Sequence, residues 1–424
     1  MDRFVFSTTR RKRRADHGGA VEVEEGEASA HHEGPDLIGL LPDCVLGEIV
    51  SILDTEEGAR TAVLSRRWRY IWRSAPRNLD DRLRFIYPDR ERLQVISQIL
   101  DAHPGPVRRL AVRSFISSYV RRYNDWFPLP MFDALQDLVL HFPYTPDRLH
   151  RMPATALRFS CLRVLDIDNC TFSAIGFLPA FPCLTYLSLS PPRWRRLSWR
   201  TYVVEDASSL ERLVMHETKY GPSVRIPGPT KLKMLGYLGN GFPIIQLGHT
   251  IFKAMVPVSL ADQFSMVTIL ALDMPQLKLK VVIGYLKCFP CLEKLHVKVL
   301  LADPFLLTYA WDSYKCALRW DPSSRIECLN RSLKTIVLQL YGGRRTHVEF
   351  AKFFIKRARV LELMKFCSIR ADTTRWHQKQ HRQLNINSRA SRRAKFLFVR
   401  QCDSPSRFGM DNTTNLSTLL LFNA

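Results

Sequence analysis

One short phrase constrains this 424-residue chain more than anything else in it: an apolar residue, two others, an apolar residue, one other, an apolar residue. It occurs as Val107-Leu110-Val112, Leu135-Leu138-Leu140, Leu162-Leu165-Ile167, Leu184-Leu187-Leu189 and Leu210-Leu213-Met215. It returns as Leu232-Leu235-Tyr237, Val267-Leu270-Leu272, Leu292-Leu295-Val297 and Leu333-Ile336-Leu338. Closer neighbours lie 22 to 28 residues apart. One copy would carry no information, but nine at related spacing mark a repeat array in which each unit holds a short strand. Such a unit cannot bury its apolar side alone, so neighbours stack over one continuous core beneath a curved parallel sheet. The longer steps after Leu232 and Leu292 leave room for an irregular repeat or an insertion.

Between the apolar residues of each strand lie residues that face the other way. They include Asp166 and Asp168, Tyr186, Ser188, Arg212 and His216, then Lys294, His296 and Lys298. On a solenoid these line the concave surface, grading here from acidic near residue 167 to basic near 296. Asp166, Asp168, Tyr186, Arg212, His216, Lys294, His296 and Lys298 are therefore the candidates for binding a target protein. The fullest copy, "LRVLDIDNCTF", resembles a leucine-rich repeat, with Cys170 at the Asn/Cys position and Phe172 at the apolar position after it.

Ahead of the repeats the periodicity changes to that of helices. Pro42 suits a helical first turn, and Leu46, Ile49, Val50 and Leu53 follow as an i, i+3, i+4, i+7 stripe. Asp54 with Glu57 resembles a capping box opening a second helix, and Ser65 caps a third. In "AVLSRRWRYIWRSAP" Leu64, Trp68, Ile71 and Trp72 share one face, with Arg66, Arg67, Arg69 and Arg73 mostly off it. Three short helices make a core too small to stand comfortably alone, so a partner for the aromatic face is expected. A DNA-reading helix would need polar side chains toward the groove, and the distinctive face here is apolar.

Leu41-Pro42-Asp43, with Leu46, Ile49, Leu53 and "RTAVLSRRWRYIW", resembles the F-box of plant F-box proteins over residues 36–80. The resemblance implies docking onto a Skp-type adaptor and, through it, a cullin-based ubiquitin ligase. It assigns the adaptor contacts to Leu41, Pro42, Leu46, Ile49, Leu53, Val63, Leu64, Trp68 and Trp72. Aliphatic and aromatic anchors at helical spacing suit helix-in-groove recognition. After Leu333 the chain reads strand, Gly-Gly turn and a helix carrying Ala351, Phe354, Ile355, Ala358 and Leu361, followed by "SRASRRAKFLFV". This order resembles the FBD region that closes many plant F-box repeat proteins, with Arg389-Ala390-Ser391 before a final strand. It would cap the open end of the array.

The expected fold is α + α/β: a tail at 1–35, a three-helix F-box at 36–80, a leucine-rich repeat solenoid at 81–332, an FBD-like cap at 333–400 and a tail at 401–424. The first tail has opposed charge blocks and reads as disordered; its cluster Arg10, Arg11, Lys12, Arg13 and Arg14 suits either nuclear import or a solvated tail. The N-terminus lacks a signal-peptide apolar core, and no stretch of about 18 apolar residues suggests a membrane span. Ten scattered cysteines without a secretory signal read as reduced thiols in the nucleus or cytoplasm.

Catalytic chemistry finds no home in the sequence. Cys288 and Cys291 form a CxxC without a second ligand pair, and "FPCL" opens a repeat strand twice, so the cysteines read as repeat punctuation. His377 and His381 lack the Glu of HEXXH, and there is no P-loop, GxGxxG or GxSxG. No enzyme activity, metal or cofactor is expected. The implied role is substrate recognition for a Skp–cullin–F-box ligase, with an unknown target protein. Lys and Arg exceed Asp and Glu by 62 to 40, a net charge of +22, which makes a nuclear polyanion- or nucleic-acid-binding repeat protein the alternative. A small-molecule sensor is a third class.

Overall fold

Wherever the phrase recurs, a strand forms. The computed structural model describes residues 37–53, 55–80, 89–103, 105–113, 125–143, 150–152, 154–171, 177–178, 181–191, 201–216, 221–239, 241–253, 256–259, 264–299, 325–368 and 374–400. The expected tails, the Arg10–Arg14 cluster, Asp54 and Phe172 lie outside them. The chain divides into Met1–Pro42 and Asp43–Ala424. In the first unit the described residues form a turn in which the Leu41 amide donates to the Ile38 carbonyl at 3.1 Å.

In the second unit twelve strands form one parallel sheet in chain order. They are Arg77–Asp80, Val107–Arg113, Asp137–His141, Val164–Asp168, Tyr186–Ser190, Arg212–Met215, Met234–Leu238, Ile269–Met274, Lys294–Val299, Thr335–Gln339, Leu363–Ser368 and Lys395–Arg400. The repeats are pinned in register by a recurrent bond. The carbonyl ahead of a strand accepts two successive amides from the next repeat, as Arg163 does from Thr185 and Tyr186 at 2.9 and 3.0 Å, and Glu293 does from Lys334 and Thr335 at 2.9 and 3.0 Å. Apart from Tyr237, the phrase residues point to one side and join a single buried cluster from Leu79 to Ala394.

What closes that core changes along the array. In the middle, strands Phe177–Leu178, Thr201–Val204, Ser223–Ile226 and Ile244–Leu247 form a second sheet. Toward the C-terminus, helices Leu279–Cys288, Glu327–Arg331, Arg345–Arg357 and Thr374–Leu384 take over. The long step after Leu232 is an insertion: strands Thr250–Lys253 and Val256–Ser259 add antiparallel to the second sheet. Residues 301–324, within the other long step, lie outside the described part.

Four sequence expectations need correction. Residues 77–80, grouped with the helices, are the first strand of the sheet, paired with Val107–Ala111. Tyr237 does not fill a core position: the register slips after Leu235, Tyr237 takes φ 53°, and Leu238 occupies the buried slot against Leu272. The strand Leu363–Ser368 was unexpected, though Leu361, Met364 and Phe366 repeat the phrase. The closing helix ends at Arg357, so Ala358 and Leu361, read as part of it, lie beyond it. Cys170 is buried as its repeat position asks, and beside it Asn169, at φ 56°, donates its side-chain amide to the Pro143 carbonyl of the preceding repeat at 2.7 Å.

The C-terminal closure keeps the expected strand, helix and final strand, with strand Leu363–Ser368 and helix Thr374–Leu384 added between the last two. Helix Arg345–Arg357 buries Val348, Phe350, Ala351, Phe354 and Ile355. The Ala390 amide donates to the Ile355 carbonyl at 2.8 Å, and the Ser391 hydroxyl to the Leu361 carbonyl at 2.5 Å. Arg389-Ala390-Ser391 thereby ties the helix to the start of its following strand.

Candidate partner-binding surfaces

Three helices precede the sheet: α1, Asp43–Ile52; α2, Thr55–Thr61; and α3, Arg66–Ser74. Ser65 caps α3, its hydroxyl accepting from the Trp68 amide at 3.2 Å. Arg67 Nε donates to Asp43 at 2.7 Å and joins α3 to α1.

Helix α1 is apolar on two sides. Leu46 and Val50 point inward and are fully buried. Val45, Ile49 and Ile52, at i, i+4 and i+7, form a second stripe that faces solvent, Ile52 being 73% exposed. A surface helix normally carries one apolar stripe; a second without cover marks a face held for a partner. Beyond α2, Val63 is 82% exposed, with Leu64 and Tyr70 also exposed. In the first unit Leu37, Ile38 and Leu40 are exposed. Of thirteen exposed large apolar residues among the described residues, nine fall between positions 37 and 70.

The structure therefore sorts the expected adaptor contacts. Pro42, Ile49, Val63 and Leu64 are exposed; Leu41, Leu53 and Trp68 are half-buried. Leu46 and Trp72 are corrected to interior residues. A charge at Leu46 would test folding and not docking. The helical stripe read from Leu46 to Leu53 merged two faces, because i, i+3 and i+4 spacing alone does not tell which edge of a broad apolar surface meets the core.

Trp72 has a structural task that its spacing did not reveal. A Cβ at Gly58 would lie 2.3 Å from the Trp72 ring, so only glycine lets α2 approach it. His103 meets the ring edge-on at a centroid distance of 5.4 Å, and the Arg77 guanidinium lies 5.6 Å over it. Burial, together with Arg77 and Arg73, pushes His103 down to about 4, and burial lowers Arg77 to about 10. Polar bonds join the same seam. Asn78 Nδ2 donates to the Ser51 carbonyl at 2.6 Å, and Arg108 donates to the Ser51 hydroxyl at 3.0 Å.

The second candidate surface is the sheet face opposite the core. Its N-terminal third is paired within itself. Arg113 and Arg109 reach Asp80 at 3.0 and 3.5 Å, Arg109 reaches Asp137 at 3.1 Å, and His141 Nε2 lies 3.3 Å from Asp166. Burial disfavours both charges of the last pair, but their mutual attraction and hydrogen bond raise His141 and lower Asp166. His216, which meets the Ser188 hydroxyl at 3.2 Å, is lowered by burial.

Asp166, Tyr186 and His296, expected to be accessible, are buried. Cross-strand packing is the reason for Tyr186, which clusters with Val214 and Met234 while the Arg212 guanidinium lies 5.5 Å over its ring. Arg212 is exposed, whereas Asp168, His216, Lys294 and Lys298 keep partial exposure. Cys288 is buried with its thiol pushed up to about 12, whereas Cys291 is exposed. No group of three or more metal-binding side chains occurs among the described residues, and no helix among them is long and apolar enough to cross a membrane.

Three stretches of the chain match models of known families. Residues 38–80 match the F-box domain model, and residues 321–366 the FBD model. Residues 123–196 and 193–297 match the model described as FBD-associated F-box protein At5g56370, LRR repeats. The FBD match includes the helix Arg345–Arg357 and stops short of Arg389-Ala390-Ser391.

Among curated proteins of Arabidopsis thaliana, the chain is 30% identical over 163 residues to F-box/FBD/LRR-repeat protein At5g44980, covering 36% of each chain. It is 27% identical over 194 residues to putative F-box/LRR-repeat protein At3g58880, covering 42% of this chain and 39% of that one. It is 26% identical over 166 residues to F-box/FBD/LRR-repeat protein At1g13570, covering 37% and 38%. The matched stretch spans under two fifths of each of these relatives.

Proposed function

We propose that this chain, which carries an F-box, leucine-rich repeats and an FBD region, is the substrate-recognition adaptor of a Skp–cullin–F-box ubiquitin ligase. The observation that carries the reading is the uncovered apolar stripe Val45, Ile49 and Ile52 on α1, with Val63 and Leu64 beyond α2. Desolvating that surface against a Skp-type adaptor offers the favourable term, at roughly 25 cal/mol per Å² of apolar area buried. The repeats hold a target at the same time. Tethering raises the target's effective concentration near a loaded conjugating enzyme, a proximity effect that asks no catalytic group of this chain. Work in the nucleus, through import directed by Arg10–Arg14, belongs to the same proposal and is tested by relocalisation of a fluorescent fusion when the cluster is changed to Ala.

The docking test uses Ile52→Asp combined with Val63→Asp. Both side chains face solvent, so the unfolding free energy should change by no more than ordinary surface substitutions do, about 0.5 kcal/mol each. Co-purification of the Skp-type adaptor should fall at least tenfold. Undiminished capture by the folded double variant would overturn the F-box reading.

A further inference from the structure

The chain's positive charge is concentrated at one end. Residues 325–400 hold nineteen Lys and Arg against four Asp and Glu, a net +15 of the total +22. Three of those four acids, Glu327, Glu349 and Glu362, lie in described segments, and Glu327 and Glu349 pair with Arg331 and Arg345 on their own helices. The sheet face shows the same polarity. Its N-terminal third is neutralised by Arg–Asp and His–Asp pairs. On its C-terminal third Lys294, Lys298 and Lys395 have no carboxylate within ion-pair distance among the described residues.

Register fixes how these groups lie. Lys294 pairs with Thr335, Thr335 with Leu363 and Leu363 with Lys395. One row along, His296, Val337, Lys365 and Leu397 follow in the same order. Strands about 4.8 Å apart set Lys294 and Lys395 about 14 Å from each other. Between them the face carries Thr335 and Leu363, with Val337 and a further cation, Lys365, in the next row. Leu397 is 47% exposed, one of four such residues outside positions 37–70. His296 is buried beside them with no hydrogen bond to its Nδ1. A buried ring nitrogen without a partner is costly, so a ligand that bonds it gains.

We propose that Lys294, Lys298 and Lys395, with His296 between the first two, Leu363 between the outer strands and Leu397 beside the third, receive an extended acidic segment of the target protein that carries apolar residues between its carboxylates. This deepens the substrate-receptor reading and rests on it. An extended chain advances about 3.3 Å per residue, so carboxylates four positions apart span the distance from Lys294 to Lys395. The residues between them lie over Thr335 and Leu363, beside Val337 and Lys365. The surplus cationic charge of the cap steers the acidic segment in, which raises the association rate.

The test uses the full chain and a fluorescein-labelled peptide, GSELVLEGS, read by anisotropy at 150 mM salt. Comparators are a peptide of equal composition with the two Glu adjacent, the analogue GSKLVLKGS and a labelled DNA duplex of 20 base pairs. The first peptide should bind saturably, the adjacent-Glu peptide more weakly and the lysine analogue not at all. Lys294→Glu with Lys395→Glu should weaken binding at least tenfold. Lys356→Glu with Lys379→Glu, the same charge change on the cap helices, should weaken it less than threefold. Lys294→Gln with Lys395→Gln should fall between them, and circular dichroism verifies folding of each variant.

Equal loss in both Glu pairs means unspecific charge attraction and overturns the proposal. So does absent peptide binding, or DNA that binds through Lys294 and Lys395 more tightly than the peptide. Adaptor co-purification is measured on the same samples. Retained adaptor capture with no peptide binding refutes this inference alone, and the converse refutes the ligase reading alone.

Discussion

The three helices and the repeat sheet treat apolar surface in opposite ways. In the sheet every phrase residue from Leu110 to Phe366 except Tyr237 is buried, and even the face away from the core tucks in Tyr186, Val214 and Met234. In the helices, α1 buries Leu46 and Val50 yet turns Val45, Ile49 and Ile52 outward. The difference follows from stacking. A repeat is flanked by repeats that close its core, whereas a bundle of about 35 residues has too little interior for all its aliphatic side chains. Self-completion suits a scaffold, and an uncovered stripe suits a subunit.

The seam between the two regions is where the largest effect is expected. Trp72 packs against Gly58 on one side and His103 and Arg77 on the other, so its removal should act on both regions. Trp72→Ala should cost about 3–5 kcal/mol, as large-to-small core changes do. Native-state hydrogen exchange should show lost protection in α1 to α3 and in Val107–Arg113 together. Loss confined to the helices would break the idea of a shared seam. For the same reason, deletion of residues 36–80 should harm the sheet, because it removes strand Arg77–Asp80 and leaves Arg109 and Arg113 without Asp80. Deletion of 36–75 should be better tolerated.

How much of this was legible beforehand depended on the range of the interaction. The phrase, the Ser65 cap and the closing helix rest on contacts set by neighbours a few residues away, and they were readable. Leu363–Ser368 was readable in principle from Leu361, Met364 and Phe366. The slip at Tyr237 was not, because a bulge is decided by the partner strand. The orientation of Leu46 against Ile49, and the burial of Asp166, Tyr186 and His296, depend on side chains 20 or more residues away. The pairing of Asp80 with Arg113 likewise joins distant positions. Charge gradients read along a sequence miss such neutralisation.

A medium effect is expected from acid. His103 and His296 both sit near 4 in the folded chain, lowered by burial first and by neighbouring cations second. An unfolded histidine titrates near 6.5. Folded pKa values below the unfolded value mean that the unfolded state takes up protons first, so stability is full above about 6.5 and declines as pH falls toward 4. His216 and His347, lowered by burial, act in the same direction. The thermal midpoint should drop on the order of 5 °C between pH 7 and 5. His103→Gln and His296→Gln should each flatten the profile. A profile unchanged in both would show that the seam and the sheet face do not exclude protonated imidazole.

The smallest effect concerns the sheet's internal pairing and has the opposite sign in pH. His141 is raised and Asp166 lowered, each by the other against the cost of burial. A raised histidine contributes stability that is fully present below about 6.5 and lost as pH rises through its folded value; a lowered aspartate contributes above about 3.8 and loses it in stronger acid. The pair is therefore strongest in mildly acidic solution. Asp166→Asn keeps the shape and removes the charge. Because His141 can then release its proton instead of remaining an uncompensated cation, the cost should be only about 1 kcal/mol, near that of one hydrogen bond. NMR titration should show the His141 pKa falling in the variant, and the stability gap from the parent chain should shrink as pH rises past the parent's His141 pKa. Combining Asp166→Asn with His141→Gln should cost no more than the first change alone. A gap independent of pH would mean that Asp166 is held by the Ser188 side of its surroundings, and the N-terminal third of the face would then not be the self-neutralised surface that leaves binding to the lysines.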